Sequence, residues 1–118
     1  MEIKLDYTEK RDNVVFYRYF VGETAVWFSQ HENGCIYTVA VDLPNDLTDL
    51  VAFYVETDGA KRNQRDTYYP YDFYIHIRKE SYGSELEAYI EKLKTVKEIG
   101  DTIMSIFQKP EHKDLYDK

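Results

Sequence analysis

Four polar side chains that alternate along the chain have the types needed for acid–base catalysis at a phosphate ester. Asp72, Tyr74, His76 and Arg78 occupy every second position, so a strand over residues 71–78 would place all four on one face. There, His76 would transfer a proton, Arg78 would hold the phosphate and Tyr74 would orient it. Such enzymes usually pair two proton-transfer groups, and the other two histidines fall in a predicted turn and in the C-terminal tail. The solvent face of an ordinary strand shows the same pattern, so a structural role also fits.

A second candidate group lies in the acidic segment 42–49. It contains Asp42, Asp46 and Asp49. Carboxylates spaced along a loop can dock a basic protein by taking the place of phosphates, and oxygen ligands of this kind can also bind calcium. The segment lacks the glycine and the late glutamate of an EF-hand loop. The alternative is a solvated turn in which Asp46 or Thr48 caps a short helix.

The longest predicted connection, residues 57–70, combines basic and aromatic side chains. Its candidate binding residues are Lys61, Arg62, Arg65, Tyr68, Tyr69 and, just beyond it, Tyr71. Long loops tend to be functional or disordered. Basic residues among aromatic ones can bind phosphates and stack on bases, and tyrosine and arginine also dominate the energetics of protein interfaces. Because the rest of the chain is acidic, we predict a protein-binding loop; a loop whose tyrosines only anchor its end is the alternative.

The single cysteine, Cys35, excludes an internal disulfide framework and gives no indication of secretion. It stands alone at the start of a predicted strand, where a free cysteine usually behaves as a small buried hydrophobe rather than as a nucleophile. His31 and Cys35 are too few ligands for zinc. The chain contains no glycine-rich phosphate loop and no nucleophile elbow. We therefore predict no metal site, no cofactor and no enzymatic activity.

The charge of the chain is unevenly distributed. Residues 19–60 contain neither lysine nor arginine, and the net charge of the whole chain is -7. The acids of this stretch are Glu23, Glu32, Asp42, Asp46, Asp49, Glu56 and Asp58. A field of one sign repels nucleic acid and anionic membranes and attracts basic surfaces. We therefore expect a basic protein partner and no direct binding to nucleic acid or membrane, provided that strand alternation does not scatter these acids over two faces.

Alternating and β-branched patterns predict six strands before a helix. The strands cover residues 2–7, 14–21, 24–30, 35–43, 50–57 and 71–78, with a polar turn over residues 9–13. Asn33-Gly34 suits the positive φ angles of a tight hairpin. Several strands are apolar on both faces, so the sheet either curls around the helix or meets a partner on its second face.

Apolar residues at three- and four-residue steps predict a long helix that follows Ser84, with Ser84 and Glu87 as a capping box. Gly100 is expected to bend or split this helix, and Pro110 is expected to end it by Gln108. The resulting class is α+β, with an about six-stranded, mostly antiparallel meander sheet followed by one long C-terminal helix packed on one face. We predict one domain over residues 1–110 and a frayed charged tail over 111–118.

These observations predict a small acidic, non-enzymatic binding or inhibitor protein of the cytoplasm. It would block a basic partner such as a nuclease or a toxin, as a phage or mobile-element anti-defence protein or an immunity protein does. The partner-binding candidates are Asp42, Asp46, Asp49, Glu56, Asp58, Arg62, Arg65, Tyr68, Tyr69 and Tyr71. One alternative is a homodimeric structural or accessory protein that uses the second sheet face. The other is a small metal-free nuclease or hydrolase centred on His76.

Overall fold

The computed structural model describes residues 1–57, 70–78 and 85–116. The strands are β1 (Ile3–Arg11), β2 (Val14–Val21), β3 (Thr24–His31), β4 (Ile36–Asp42), β5 (Val51–Thr57) and β6 (Pro70–Ile77). The helices are α1 (Asn45–Thr48), α2 (Leu86–Phe107) and α3 (Pro110–Tyr116). The predicted α+β class and the antiparallel pairing are confirmed.

The six strands form two sheets, which corrects the expected single meander. β1 to β4 pair in sequence order in a four-stranded sheet, and β5 pairs with β6 in a two-stranded sheet. The break falls after β4, where Pro44 lacks the N–H of a ladder bond and α1 turns the chain. Buried Leu43, Leu47 and Leu50 hold this turn in the core, so it displaces β5 from the edge of the first sheet.

Tight turns join the first four strands. The turn between β1 and β2 is Asp12-Asn13, with Asp12 at a φ of 54°, so β1 runs to Arg11 and the turn predicted over residues 9–13 is shorter than expected. Glu9 and Arg11 belong to an exposed edge strand, where polar residues are tolerated. The predicted turn at Asn33-Gly34 is present, and Gly34 has a φ of 93°.

One face of the four-stranded sheet is covered by the helices. Tyr19 and Val26 are opposite each other on β2 and β3, and both are buried. On the same face, the ring of Phe28 lies 5.0 Å from that of Phe107, at the C-terminal end of α2. This inner face and the apolar side of α2 form the core, together with Ile36 of β4.

Helix α2 is continuous over 22 residues, so the expected bend at Gly100 is absent. Gly100 lies instead where the helix meets β6, and a Cβ at this position would overlap the ring of Phe73. Phe73 in turn stacks on Phe53 of β5, with ring centroids 5.3 Å apart. Helix α2 therefore contacts both sheets: Gly100 meets Phe73 of β6, and Phe107 meets Phe28 of β3. Ser84, the predicted cap, lies outside the described residues.

The C-terminal segment differs from the expected frayed tail, because residues 110–116 form α3 and His112 is fully buried. The predicted end of the long helix by Gln108 is confirmed, since α2 ends at Phe107. Pro110 also starts the next helix, because its fixed φ suits the first helical turn, where no N–H is required. No helix in the described part of the chain is both long and apolar enough to cross a bilayer.

Candidate functional site: an acidic, tyrosine-bearing surface

The outer face of the β5–β6 hairpin carries an exposed pair of tyrosines. Tyr54 and Tyr74 are opposite each other, with ring centroids 5.2 Å apart. Tyr54 is 48% exposed and Tyr74 is 53% exposed, although both are large aromatic side chains. Tyrosine side chains lose little rotamer entropy on binding and offer both an apolar ring and a hydroxyl, which suits them to contact a partner.

Next to this pair, two carboxylates face each other. Glu56 and Asp72 are opposite residues in the same ladder, and both are exposed. Like charges directly across a sheet destabilise it. The carboxylate of Asp72 also accepts a hydrogen bond from the backbone N–H of Phe73, at 2.8 Å. The hairpin therefore presents two acids beside two aromatic rings.

The acids of this surface differ in their partners from two acids of β1. In β1 and β2, Arg11 lies 2.8 Å from Glu9, and Arg18 lies 3.4 Å from Asp6. None of the ion pairs found within residues 1–57, 70–78 and 85–116 involves Asp42, Asp46, Asp49, Glu56 or Asp72. Within those residues, no ion pair therefore compensates the negative charge of these five acids.

Asp42, Asp46 and Asp49 are all exposed and lie around the turn made by α1. The turn has no side-chain cap at its start, and the hydroxyl of Thr48 donates to the carbonyl of Asn45 at 3.0 Å. The predicted cap by Asp46 or Thr48 is therefore absent.

The acids of residues 19–60 do not all lie on one surface. Asp42 is opposite Ala25, near the turn that carries Glu23, whereas Glu32 lies at the other end of β3. Glu56 lies near the far end of β5, roughly 20 Å from Asp49 at about 3.3 Å per residue. The acids thus form one group around α1 and one on the hairpin, and Glu32 lies apart from both.

Several predicted site residues cannot be placed. Asp58, Arg62, Arg65, Tyr68 and Tyr69 lie outside the described residues. Tyr71 is in β6, but only its backbone is described.

The four side chains considered as a catalytic candidate are all exposed. Asp72, Tyr74 and His76 alternate on the exposed face of β6, and Arg78 follows the strand and is exposed. The other two histidines lie elsewhere: His31 contacts Tyr37 at the end of β3, and His112 is buried beneath the first sheet. No second imidazole therefore stands beside His76 to complete a pair of proton-transfer groups.

Cys35 is 1% exposed and lies in the core. Within the described ranges, no three His, Cys, Asp or Glu side chains are grouped closely enough to hold a metal ion.

A buried polar network around His112 has no counterpart in the sequence predictions. The Tyr19 hydroxyl lies 2.9 Å from Nε2 of His112, and Oε1 of Gln30 lies 2.9 Å from its Nδ1. The amide nitrogen of Gln30 donates to the carbonyls of Gly34 and His112, so its oxygen is the acceptor for Nδ1–H. Nε2 then accepts from Tyr19, which defines the neutral tautomer. The one feature of the sequence that could have indicated a helix around His112 is Pro110, because proline can begin a helix.

Burial changes the pKa values of His112 and Tyr19. Burial lowers the pKa of His112, because the charged imidazolium would lose its hydration. Burial also raises the pKa of Tyr19 to about 12. Both groups are therefore neutral at physiological pH, and their surroundings indicate a structural role in docking α3.

Comparisons with known proteins return no match: no protein-family model matches the chain, and no curated protein or solved structure is detectably similar to it.

Proposed function

We propose that this chain is a small acidic binding protein, without enzymatic activity, that blocks a basic protein partner. The observation that carries the proposal is the outer face of the β5–β6 hairpin, where exposed Glu56 and Asp72 lie beside the adjacent, exposed rings of Tyr54 and Tyr74. The opposed carboxylates destabilise the ladder, and a basic partner would relieve that repulsion while it buries the exposed rings.

The three aspartates around α1 extend the surface electrostatically. Asp42, Asp46 and Asp49 are exposed and have no ion-pair partner among the described residues. Their field would accelerate encounter with a positively charged groove, while the tyrosines would set the dissociation rate. A groove that binds nucleic acid is such a surface, so a nuclease or a nucleic-acid-directed toxin fits the chemistry. The functions proposed for such a protein are anti-defence or immunity.

The test begins with capture of partners from a cell lysate and continues with the purified partner, measured by calorimetry. We expect the affinity to fall when Glu56→Gln and Asp72→Asn are combined, and to fall as salt rises from about 0.05 M to about 0.5 M. Tyr74→Ala should weaken binding at least about tenfold, as loss of an anchoring aromatic residue does. The matched control is Asp101→Asn, an exposed acid on α2 that is already paired with Lys97 at 2.9 Å.

An affinity that ignores both salt and these substitutions would contradict the proposal. Turnover of nucleic acid that His76→Ala abolishes in a folded protein would replace it with the hydrolase alternative.

A further inference from the structure

The four-stranded sheet has a second face, opposite the one that packs on the helices. Opposite residues on β1, β2 and β3 form rows across it: Tyr7, Arg18 and Trp27 in one, and Glu9, Phe16 and Ser29 in the next. This face is called the outer sheet face below. Three of its aromatic residues are well exposed, at 44% for Tyr7, 38% for Phe16 and 41% for Trp27. They border a groove of about 270 Å³.

Two arginines lie over aromatic rings of this face. The guanidinium of Arg18 is 4.3 Å from the ring centroid of Trp27 and 4.9 Å from that of Phe20. The guanidinium of Arg11 is 5.4 Å from the centroid of Phe16. Such contacts hold the cations close to the rings of this face.

Each arginine is also paired with a carboxylate of β1. Arg18 lies 3.4 Å from Asp6, and Arg11 lies 2.8 Å from Glu9. The Tyr7 hydroxyl hydrogen-bonds to the same carboxylate of Glu9. The hydrogen bond from Arg11 is the main reason that the pKa of Glu9 is lowered, so the pair stays ionised. The outer sheet face is therefore apolar and nearly charge-balanced on a chain of net charge -7.

This balance selects the kind of partner. Nucleic acid would need free cations, but Arg11 and Arg18 are already paired, and the rest of the chain repels phosphates. A basic protein would need several free carboxylates, but Asp6 and Glu9 are paired as well. Asp42, which has no ion pair within the described residues, lies only at the β4 edge of the face, opposite Ala25. What remains is a partner surface that is itself aromatic and balanced in charge.

We propose that this partner is the outer sheet face of a second copy of the chain, in a two-fold symmetric dimer. A two-fold contact brings the same patch of both copies together, so an aromatic face with balanced charge meets a face of the same character. Elsewhere on the surface, two chains of this net charge repel each other. Face-to-face sheets pack about 10 Å apart, which allows the rings of Phe16 and Trp27 to interdigitate with those of the partner. The β5–β6 hairpin belongs to the other sheet, so this inference does not depend on the proposed function.

Trp27 is the only tryptophan of the chain and lies in the proposed interface, so its fluorescence reports directly on burial there. We expect its emission to shift to shorter wavelength, and its quenching by acrylamide to fall, as the protein is concentrated from about 0.1 to about 100 µM. Sedimentation velocity should show the monomer-to-dimer transition over the same range. Salt should leave the dimer intact or strengthen it, because it screens the repulsion between the two chains.

Phe16→Glu places an unpaired charge in the interface and should raise the dimer dissociation constant at least about tenfold. Ile90→Glu is the matched control, because Ile90 is 42% exposed on α2, away from the outer sheet face, and its replacement should leave the dimer unchanged. If Phe16→Glu does not fold, Tyr7→Glu serves instead, since Tyr7 is on the exposed edge strand.

A protein that stays monomeric at about 100 µM would overturn the proposal. So would a dimer in which Trp27 remains open to acrylamide, or one that persists in both Phe16→Glu and Tyr7→Glu. Quenching of Trp27 by a single-stranded oligonucleotide, with the protein still monomeric, would assign the face to nucleic acid and also overturn it.

Discussion

The Nε2 atom of His112 accepts a hydrogen bond from the hydroxyl of Tyr19, 2.9 Å away and 93 residues earlier in the chain. This bond ties α3 to the inner face of β2. The imidazole also makes edge contacts with the rings of Tyr17 and Phe28, at 4.8 Å and 5.2 Å between centroids. Its second nitrogen is occupied by Gln30, so every polar atom of the side chain has a partner. A fully satisfied buried network of this kind specifies one docking position for the helix.

Replacement of His112 by leucine is expected to destabilise the protein by at least about 2 kcal/mol, because it leaves the buried Tyr19 hydroxyl and the Gln30 amide oxygen without their partner. Urea unfolding followed by circular dichroism measures the loss. His76→Ala is the control, since His76 is exposed and should change the stability by no more than about 0.5 kcal/mol. Equal effects of the two substitutions would show that the network contributes nothing.

Acid should weaken the fold through the same residue. The pKa of His112 is lowered in the folded protein, so the unfolded chain takes up this proton first. The contribution is complete above the unfolded value of about 6.5 and is lost as the pH falls through the folded value. The nearby charged groups are Lys109, whose amine lies 5.5 Å from the Tyr19 ring, and Glu111. We expect the melting temperature to fall below about pH 6.5 in the wild type, with a smaller slope in His112→Gln. Parallel curves would assign the acid sensitivity to carboxylates instead.

Gly100→Ala should destabilise α2 even though alanine is the better helix former. Alanine would ordinarily add about 1 kcal/mol of stability in a helix interior. Here its Cβ would overlap the Phe73 ring, and forcing that ring away costs about 1–3 kcal/mol. In a Phe73→Ala background, the effect of Gly100→Ala on the free energy of unfolding should change sign, so that alanine at residue 100 becomes stabilising. A double-mutant cycle by denaturant titration measures this coupling, and additive effects would contradict the contact.

Neutralising one carboxylate of the hairpin should stabilise the protein while it weakens partner binding. Glu56→Gln or Asp72→Asn removes a like-charge pair across the ladder, a gain of about 0.2–1 kcal/mol that high salt should reduce. Thermal unfolding at low and high ionic strength checks it. The control is Glu91→Gln on α2, where the carboxylate already pairs with Lys94 at 3.3 Å and its loss should bring no gain. A loss of stability in the hairpin variants would show that these acids do not repel each other.

The sequence by itself was sufficient for the local elements of the fold. Alternation along β2, the Asn33-Gly34 turn and the apolar stripe of α2 all depend on residues close together in the chain, and each is present. The exposed stripe on β6 was predictable for the same reason, because side chains in any strand alternate.

Tertiary structure alone decided how these elements combine. The division of six strands into two sheets depends on whether Leu43, Leu47 and Leu50 find a core to enter, which no local pattern reveals. Gly100 was expected to bend a helix, whereas it makes room for a ring from another sheet. His112 lies in a charged segment and is buried only because Gln30, 82 residues earlier, satisfies its Nδ1. Contacts between such distant residues form only when the whole chain has folded, and for that reason they set both the core and the two surfaces proposed for binding.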